Sequence, residues 1–152
     1  MKLTPLMTYS ASLNPPQEVG RGPYGTRMIF EVTGGHFEGQ KLKGEFLSCG
    51  GDWLLVDDNG VGHLDVRATM KTDDGELIYM QYNGVLHLNE KVQAALGAGG
   101  TTEYGDTEFF TAPRFETGSD KYQWINGIQA VSEGRITPGP TVEYSVYMLE
   151  ND

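Results

Sequence analysis

A glycine pair followed by an acid and an aromatic residue is the part of the sequence best suited to chemistry. Gly50 and Gly51 precede Asp52 and Trp53, and two glycines let the backbone bend sharply and direct the side chains that follow. Asp52 is therefore a candidate proton acceptor, and Trp53 a candidate aromatic wall of a ligand pocket. In the alternative interpretation, Trp53 packs one end of the fold and Asp52 accepts backbone hydrogen bonds at a turn.

A second acid lies two residues from an arginine. Asp65 and Arg67 alternate with Leu64, Val66 and Ala68, so the two charged side chains share one face of a strand. If that face lines a polar pocket, Arg67 can bind a carboxylate through two hydrogen bonds while Asp65 holds the guanidinium in place. If the apolar face lines the interior instead, both are ordinary surface residues.

Glu116 is the other candidate for proton transfer. If the Glu116 carboxyl group lies in a partly apolar interior, its pKa is raised toward neutrality, which suits a general acid or base. The alternative is a salt bridge or a hydrogen bond to backbone at the end of a strand. The predicted catalytic residues are thus Asp52, Arg67 and Glu116.

Aromatic and amide side chains are candidates for the walls of the same pocket. Tyr122, Trp124 and Asn126 alternate along the chain and would share one face of a strand, a mixture that suits a pocket with polar handles. An aromatic stripe of this kind is also typical of an ordinary core. The predicted ligand-binding residues are Trp53, Asp65, Tyr82, Trp124, Asn126 and Tyr147.

The sequence carries no motif for a metal or a cofactor. His36, His63 and His87 are far apart, with none in a paired metal spacing. The acidic segments 57–60 and 73–75 lack the ligand spacing of a calcium-binding EF-hand loop. We therefore expect no metal and no cofactor.

Composition and charge narrow the class of partner. The 152 residues include 21 acidic and 11 basic residues, for a formal net charge of -10, which argues against nucleic acid or an anionic membrane as the partner. Cys49 is the single cysteine, so an intramolecular disulfide is excluded, and we interpret it as an inert thiol. The segment 1–6 lacks a sustained apolar run typical of a signal peptide. We expect a cytoplasmic protein.

Alternation of apolar and polar residues with a period of two predicts many short strands. The alternating apolar residues are Met28, Phe30 and Val32; Leu42, Gly44 and Phe46; Leu64, Val66, Ala68 and Met70; and Val142, Tyr144, Val146 and Met148. Turn residues at 57–60 and 73–75 predict tight hairpins between strands. Segment 89–97 begins with the cap residue Asn89 and predicts one short helix. The pattern predicts a single all-β domain over residues 1–152, an antiparallel barrel or sandwich.

Seven short motifs follow one another along nearly the whole chain. They are Gly34–Gly39 with Leu42 and Gly44, Gly50–Trp53, Leu64–Arg67, Thr72–Gly75, Tyr82 with Gly84, Phe115–Gly118 and Tyr122–Asn126. In this order and spacing they resemble a bacterial and fungal family known as domain of unknown function 3237, or uncharacterised protein family 0311. The resemblance implies a closed antiparallel β-barrel, calycin-like or lipocalin-like, often in oligomers. The family motif contains Asp65 and Arg67, which favours their placement in a pocket.

We therefore predict a barrel that binds a small molecule and acts as a cofactor-free enzyme of the lyase, hydratase or isomerase type. Asp52 or Glu116 would move a proton of a small organic acid or aromatic carbonyl compound, and Arg67 would hold a carboxylate or enolate oxygen. One alternative is a non-catalytic carrier barrel. Another is an oligomerisation module with a filled lumen. Apolar residues on both faces of the strands lead us to expect a homo-oligomer.

Overall fold

The computed structural model describes the backbone of residues 1–152 and the side chains of all of them except residues 97 and 98. The strands are β1 Lys2–Leu13, β2 Gln17–Gly22, β3 Gly25–Glu38, β4 Lys43–Val56, β5 Val61–Thr72, β6 Leu77–His87, β7 Phe109–Thr111, β8 Arg114–Glu116, β9 Ala130–Thr137 and β10 Thr141–Glu150. The α-helix α1 covers Glu90–Ala98, and a short 3₁₀ helix covers Gln123–Gly127. The predicted all-β class with one short α-helix is confirmed.

Eight of the strands close into an antiparallel barrel. Their order around the barrel is β1-β10-β9-β7-β6-β5-β4-β3, and β3 pairs back with β1 to complete the circle. The short strand β2 lies outside this circle and forms a hairpin with β3. The short strand β8 pairs with Tyr79–Gln81, near the start of β6. Closure gives each barrel strand a neighbour on both sides, the short β7 linking β6 to β9, and it encloses a lumen.

The predicted alternation corresponds to the inner and outer faces of the barrel. Leu64, Val66, Ala68 and Met70 of β5 are all buried inside, because successive side chains of a strand point to opposite faces. Tyr144 behaves in the same way on β10. The alternating apolar residues 64–70 therefore form an inward row of β5.

The helix α1 lies against one end of the barrel. The Asn89 side chain accepts a hydrogen bond from the Val92 backbone N–H at 3.0 Å, as expected of a helix cap. Val92 and Ala95 are buried against the barrel core, and Leu96 contributes to the lining of the lumen. The predicted helix and its position are confirmed.

One predicted element is wrong. Tyr122, Trp124 and Asn126 were expected on one face of a strand, but they lie at the start of and within the 3₁₀ helix Gln123–Gly127. With three residues per turn instead of a period of two, they do not share a face.

None of the helices that the structure describes is long and apolar enough to cross a membrane.

The β1–β3 pairing that closes the barrel includes a glycine pair in β3. Gly34 and Gly35 have φ values of 157° and 142°, and the β1–β3 pairing places Gly35 opposite Ala11. A methyl group at Gly35 would collide with the carbonyl oxygen of Ser10. At Gly34 the same methyl group would meet no other atom within 4 Å. The two positions therefore share a backbone conformation that disfavours side chains, but only Gly35 is pressed against β1.

This difference gives a matched pair of variants. We expect Gly34→Ala to lower the free energy of unfolding by about 1–3 kcal/mol through backbone strain alone. Gly35→Ala should lower it further, because β1 must also move away from β3. Denaturant unfolding curves measure both. Equal losses in the two variants would contradict the proposed role of the contact with Ser10.

Candidate active site

The barrel encloses a cavity of about 320 Å³, which is within the range of small-molecule sites. Its walls are mainly the inward apolar rows, including Phe30 of β3, Leu54 of β4 and Val66 of β5. Two acids, Asp52 and Glu18, are also among the lining residues, and Glu18 is exposed. None of the lining residues in the described part of the chain is a lysine, arginine or histidine.

Asp52 lies in the inward row of β4 together with Phe46 and Leu54, just after a bulge. The pairing of β4 with β5 shifts between Phe46 and Gly50, so that β4 contains extra residues there. Gly50 has a φ of 103° and is packed against the carbonyl oxygen of Arg67, where no side chain fits. Beyond the bulge Asp52 lies opposite Val66 in the register, and Val66 belongs to an inward row.

The carboxyl group of Asp52 sits in an environment that favours its neutral form. Burial among apolar side chains raises its pKa from 3.8 to about 7. The backbone N–H of Asp65 opposes this by donating to Asp52 Oδ1 at 3.1 Å. The negative charge of Asp65 raises the pKa slightly, and the positive charge of Arg27 lowers it. Both protonation states of Asp52 are therefore populated near neutral pH.

Three buried tyrosines line the lumen together with Asp52. Tyr144 stacks on Tyr9 with ring centroids 4.9 Å apart and meets Tyr82 edge-on at 5.8 Å. The Tyr82 hydroxyl donates a hydrogen bond to the Tyr144 hydroxyl at 3.4 Å. The Tyr9 hydroxyl is buried and has no hydrogen-bond partner among the described residues. Burial raises the pKa of all three hydroxyl groups, so they stay neutral. We call Tyr9, Tyr82 and Tyr144 the tyrosine cluster.

Two of the residues predicted for the pocket come together in the lumen. Asp52 and Tyr82 both line it, as the sequence indicated. Asp65 and Arg67 do not, because the apolar residues between and beside them occupy the inward row of β5. Their predicted placement in the pocket is wrong. Asp65 contributes through its backbone N–H and not through its side chain.

Two further candidates lie outside the lumen. Glu116 is exposed on β8, where it borders a shallow outer groove. Trp53 faces outward with 39% of its side chain exposed, and its carbonyl oxygen accepts a hydrogen bond from the Arg27 guanidinium at 2.7 Å. The prediction that these residues share a pocket with Asp52 is wrong.

The remaining candidates have other surroundings. Trp124 is half-buried beneath the ammonium group of Lys41, which lies 4.8 Å from the ring centroid. Asn126 is exposed and exchanges two hydrogen bonds with the Thr117 backbone, at 2.7 and 3.0 Å. Tyr147 is half-buried on β10 and does not line the cavity. Their predicted placement in the pocket is likewise wrong.

Sequence reasoning missed Tyr9 and Tyr144 as parts of the site. The signal was present for Tyr144, which belongs to an alternating run that was interpreted only as a strand. For Tyr9 the alternation of β1 is broken by a register shift between Pro5 and Met7, so that Leu6 and Met7 are both buried. No group of three or more His, Cys, Asp or Glu side chains in the described part of the chain is arranged to hold a metal ion.

Comparison with known proteins identifies the family. The model of the family described as "Protein of unknown function (DUF3237)" matches residues 1–149. The chain belongs to the DUF3237 family. A UPF0311 protein of Rhodopseudomonas palustris is 28% identical over 120 residues, which cover 79% of this chain and 78% of that protein.

Solved structures of similar chains share the fold. A crystal structure of a "beta-barrel like protein" from Acinetobacter baumannii superposes with a TM-score of 0.82 at 38% identity, covering 98% of this chain and 96% of the other. A protein of unknown function from Rhodopseudomonas palustris superposes with a TM-score of 0.88 at 25% identity, covering 97% and 96% of the two chains. The closed barrel predicted from the sequence is confirmed by the topology and by these likenesses.

The raised pKa of Asp52 makes a prediction about stability. Between pH 4 and 7 the folded state holds a proton that the unfolded state has released, so the free energy of unfolding falls as pH rises through this window. Asp52→Asn removes this dependence, because an amide does not ionise but still accepts the hydrogen bond from Asp65. We expect Asp52→Asn to be more stable than the wild type above pH 8, by about 2–4 kcal/mol.

Unfolding curves of both proteins at several pH values between 4 and 9 measure this difference. Because the other carboxyl groups are common to both proteins, their contributions cancel. A constant difference across the pH range would contradict the raised pKa.

Proposed function

We propose that this member of the DUF3237 family is a cofactor-independent enzyme that moves a proton on a small neutral aromatic carbonyl compound bound in the lumen. The observation that carries the proposal is the acid Asp52, half-buried and facing an apolar cavity whose other acidic lining residue, Glu18, is exposed. With a pKa of about 7, its carboxyl group is half protonated near neutral pH. It can therefore both accept and return a proton, as an isomerisation, addition or elimination requires.

The character of the walls supports a neutral substrate. The cavity is lined mainly by apolar side chains, and its charged lining residues in the described part of the chain are both acids. An anionic ligand would lose its hydration without gaining a cation and would be repelled by Asp52. An aromatic carbonyl compound fits better than the organic acids that Arg67 was expected to bind.

Two fungal proteins add support of different kinds. A structure described as an "enzyme from Penicillium herquei" has the same fold, with a TM-score of 0.70 at 19% identity over 98% of this chain and 94% of the other. "PR-toxin biosynthesis cluster protein 7" of Penicillium roqueforti is 26% identical over 136 residues, covering 77% of this chain and 73% of that protein. The barrel therefore occurs in an enzyme, and a relative belongs to a biosynthetic cluster.

Exchange of carbon-bound hydrogen tests the proposal directly. In D₂O the Asp52 carboxylate takes a proton from the carbon next to the carbonyl group, the C–H electron pair forms the enolate, and a deuteron from solvent is then returned through Asp52. Acetophenone serves as the probe, and ¹H NMR follows the loss of its methyl signal. We expect the exchange rate to rise with pH through about 7 and then level off, since the carboxylate is the active form.

Variants identify the acid. Asp52→Asn should slow exchange by about 100-fold or more, whereas Glu116→Gln should leave the rate within twofold, because Glu116 faces the outer groove. Undiminished exchange in Asp52→Asn would contradict the proposal. Binding of the ketone without exchange in the wild type would favour the carrier function instead.

A further inference from the structure

The tyrosine cluster has more hydrogen-bond donors than it can use internally. Each tyrosine hydroxyl carries one donor hydrogen. The bond from Tyr82 to Tyr144 uses one of the three. Tyr9 has no partner for its hydroxyl, and no described acceptor receives the hydrogen of Tyr144. Buried hydroxyl groups are normally paired, so a cluster with surplus donors is suited to a ligand that supplies an acceptor.

The tyrosine cluster lines the same cavity as the acid Asp52. Tyr9 and Asp52 both line the cavity, and the charge of Asp52 is near enough to influence the pKa of the hydroxyl groups of Tyr9, Tyr82 and Tyr144. Tyr82 raises the pKa of the Tyr9 hydroxyl by its charge and by a weak hydrogen-bonding contact, but no group in the described part of the chain meets normal hydrogen-bond geometry with the Tyr9 hydroxyl. Tyr9 is thus the member of the cluster whose hydroxyl has no well-formed hydrogen bond.

We propose that the tyrosine cluster is a binding site for the carbonyl oxygen of the substrate, with the Tyr9 hydroxyl as the donor. This inference rests on the proposed function, and it names the chemical group that the site recognises. The Tyr9 oxygen is almost completely enclosed in the structure. Binding therefore requires the side chain to turn about its χ1 bond so that the hydroxyl moves toward the cavity. When Asp52 removes a proton from the neighbouring carbon, negative charge develops on the carbonyl oxygen, and the Tyr9 hydroxyl holds that charge.

The geometry explains why neutral tyrosines suit this task. A neutral hydroxyl group donates a hydrogen bond to the carbonyl oxygen without adding a charge to the apolar lumen. An arginine or lysine in the same place would form an ion pair with Asp52 and lower its pKa. The cluster therefore provides polarity for the substrate oxygen while leaving Asp52 able to carry a proton at neutral pH.

A pair of probes of similar shape tests the oxygen site. Acetophenone has the carbonyl oxygen, and ethylbenzene has nearly the same outline without it. Calorimetric titration gives the dissociation constant of each probe for the wild type, Tyr9→Phe and Tyr122→Phe. Tyr122 is a matched control, because its ring is buried but its hydroxyl donates to Asp74 at 2.9 Å outside the lumen.

In Tyr9→Phe we expect acetophenone binding to weaken by about threefold to tenfold, with ethylbenzene unchanged within twofold. Tyr122→Phe should change neither. The infrared carbonyl stretch of bound ¹³C-labelled acetophenone should be lowered in the wild type and return upward in Tyr9→Phe, as loss of a hydrogen bond requires. An equal effect of Tyr9→Phe on both probes, or an unchanged carbonyl stretch, would overturn the inference.

Probe binding and hydrogen exchange, measured in the wild type and in Asp52→Asn, separate this inference from the proposed function. That variant lacks the acid, so it should not exchange hydrogen, but the preference of its lumen for the ketone should still depend on Tyr9. If Tyr9→Phe weakens acetophenone binding but the wild type exchanges no hydrogen, the proposed function fails and the oxygen site stands. If the wild type exchanges hydrogen, but Tyr9→Phe changes neither the dissociation constants of the two probes nor the exchange rate, the oxygen site fails and the proposed function stands.

Discussion

The pairing of β1 with β3 is the constraint on which the rest of the structure depends. β1 also pairs with β10, so this one seam converts an open sheet into a closed barrel. Closure brings Tyr9 of β1 next to Phe46 of β4, while Tyr144 is the direct partner of Tyr9 in the β1–β10 pairing. Without the β1–β3 pairing, the sheet would stay open, and the apolar side chains that line the cavity would face water. Gly35 lets β3 lie directly against β1, because a side chain there would collide with the carbonyl oxygen of Ser10.

Closure also sets the chemistry, because it removes water from the surroundings of Asp52. Desolvation is the largest cause of its raised pKa, and the one hydrogen bond from the Asp65 backbone compensates only in part. An acid held in this way lowers stability at neutral pH, and active sites commonly trade stability for a group with a useful pKa. The bulge before Gly50 sets which residue of β5 lies opposite this acid, because its two extra residues place Asp52 opposite Val66 instead of Leu64.

Much of the fold could be predicted from the sequence, because it follows from local patterns. Alternation located strands such as β5, turn residues located the hairpins, and the Asn89 cap located α1. The 3₁₀ helix at Gln123–Gly127 could not be told from a strand by alternation alone, since three alternating residues fit either structure. Closure of the barrel was expected from the resemblance, and the β1–β3 pairing spans too much of the chain for a local pattern to predict it.

The site was predictable only in part, for a related physical reason. Asp52 and Tyr82 were identified, but Arg67 and Asp65 were placed in the pocket although their own alternation favoured the outer face. Which face of a strand points inward is decided by register and closure, and a bulge such as the one before Asp52 changes the relation between neighbouring rows. The contribution of the Asp65 backbone N–H depends on that register and has no signature in the sequence.

The pKa of Asp52 is the quantity that tests this account most directly. Protein labelled with ¹³C at the side-chain carboxyl carbon of aspartate allows each carboxyl group to be titrated by NMR, and the signal of Asp52 is assigned as the one missing from Asp52→Asn. We predict that this signal titrates with a midpoint of about 7. A midpoint near the ordinary value of 3.8 would show a hydrated carboxylate, and it would contradict the claim that the lumen holds an acid suited to proton transfer at neutral pH.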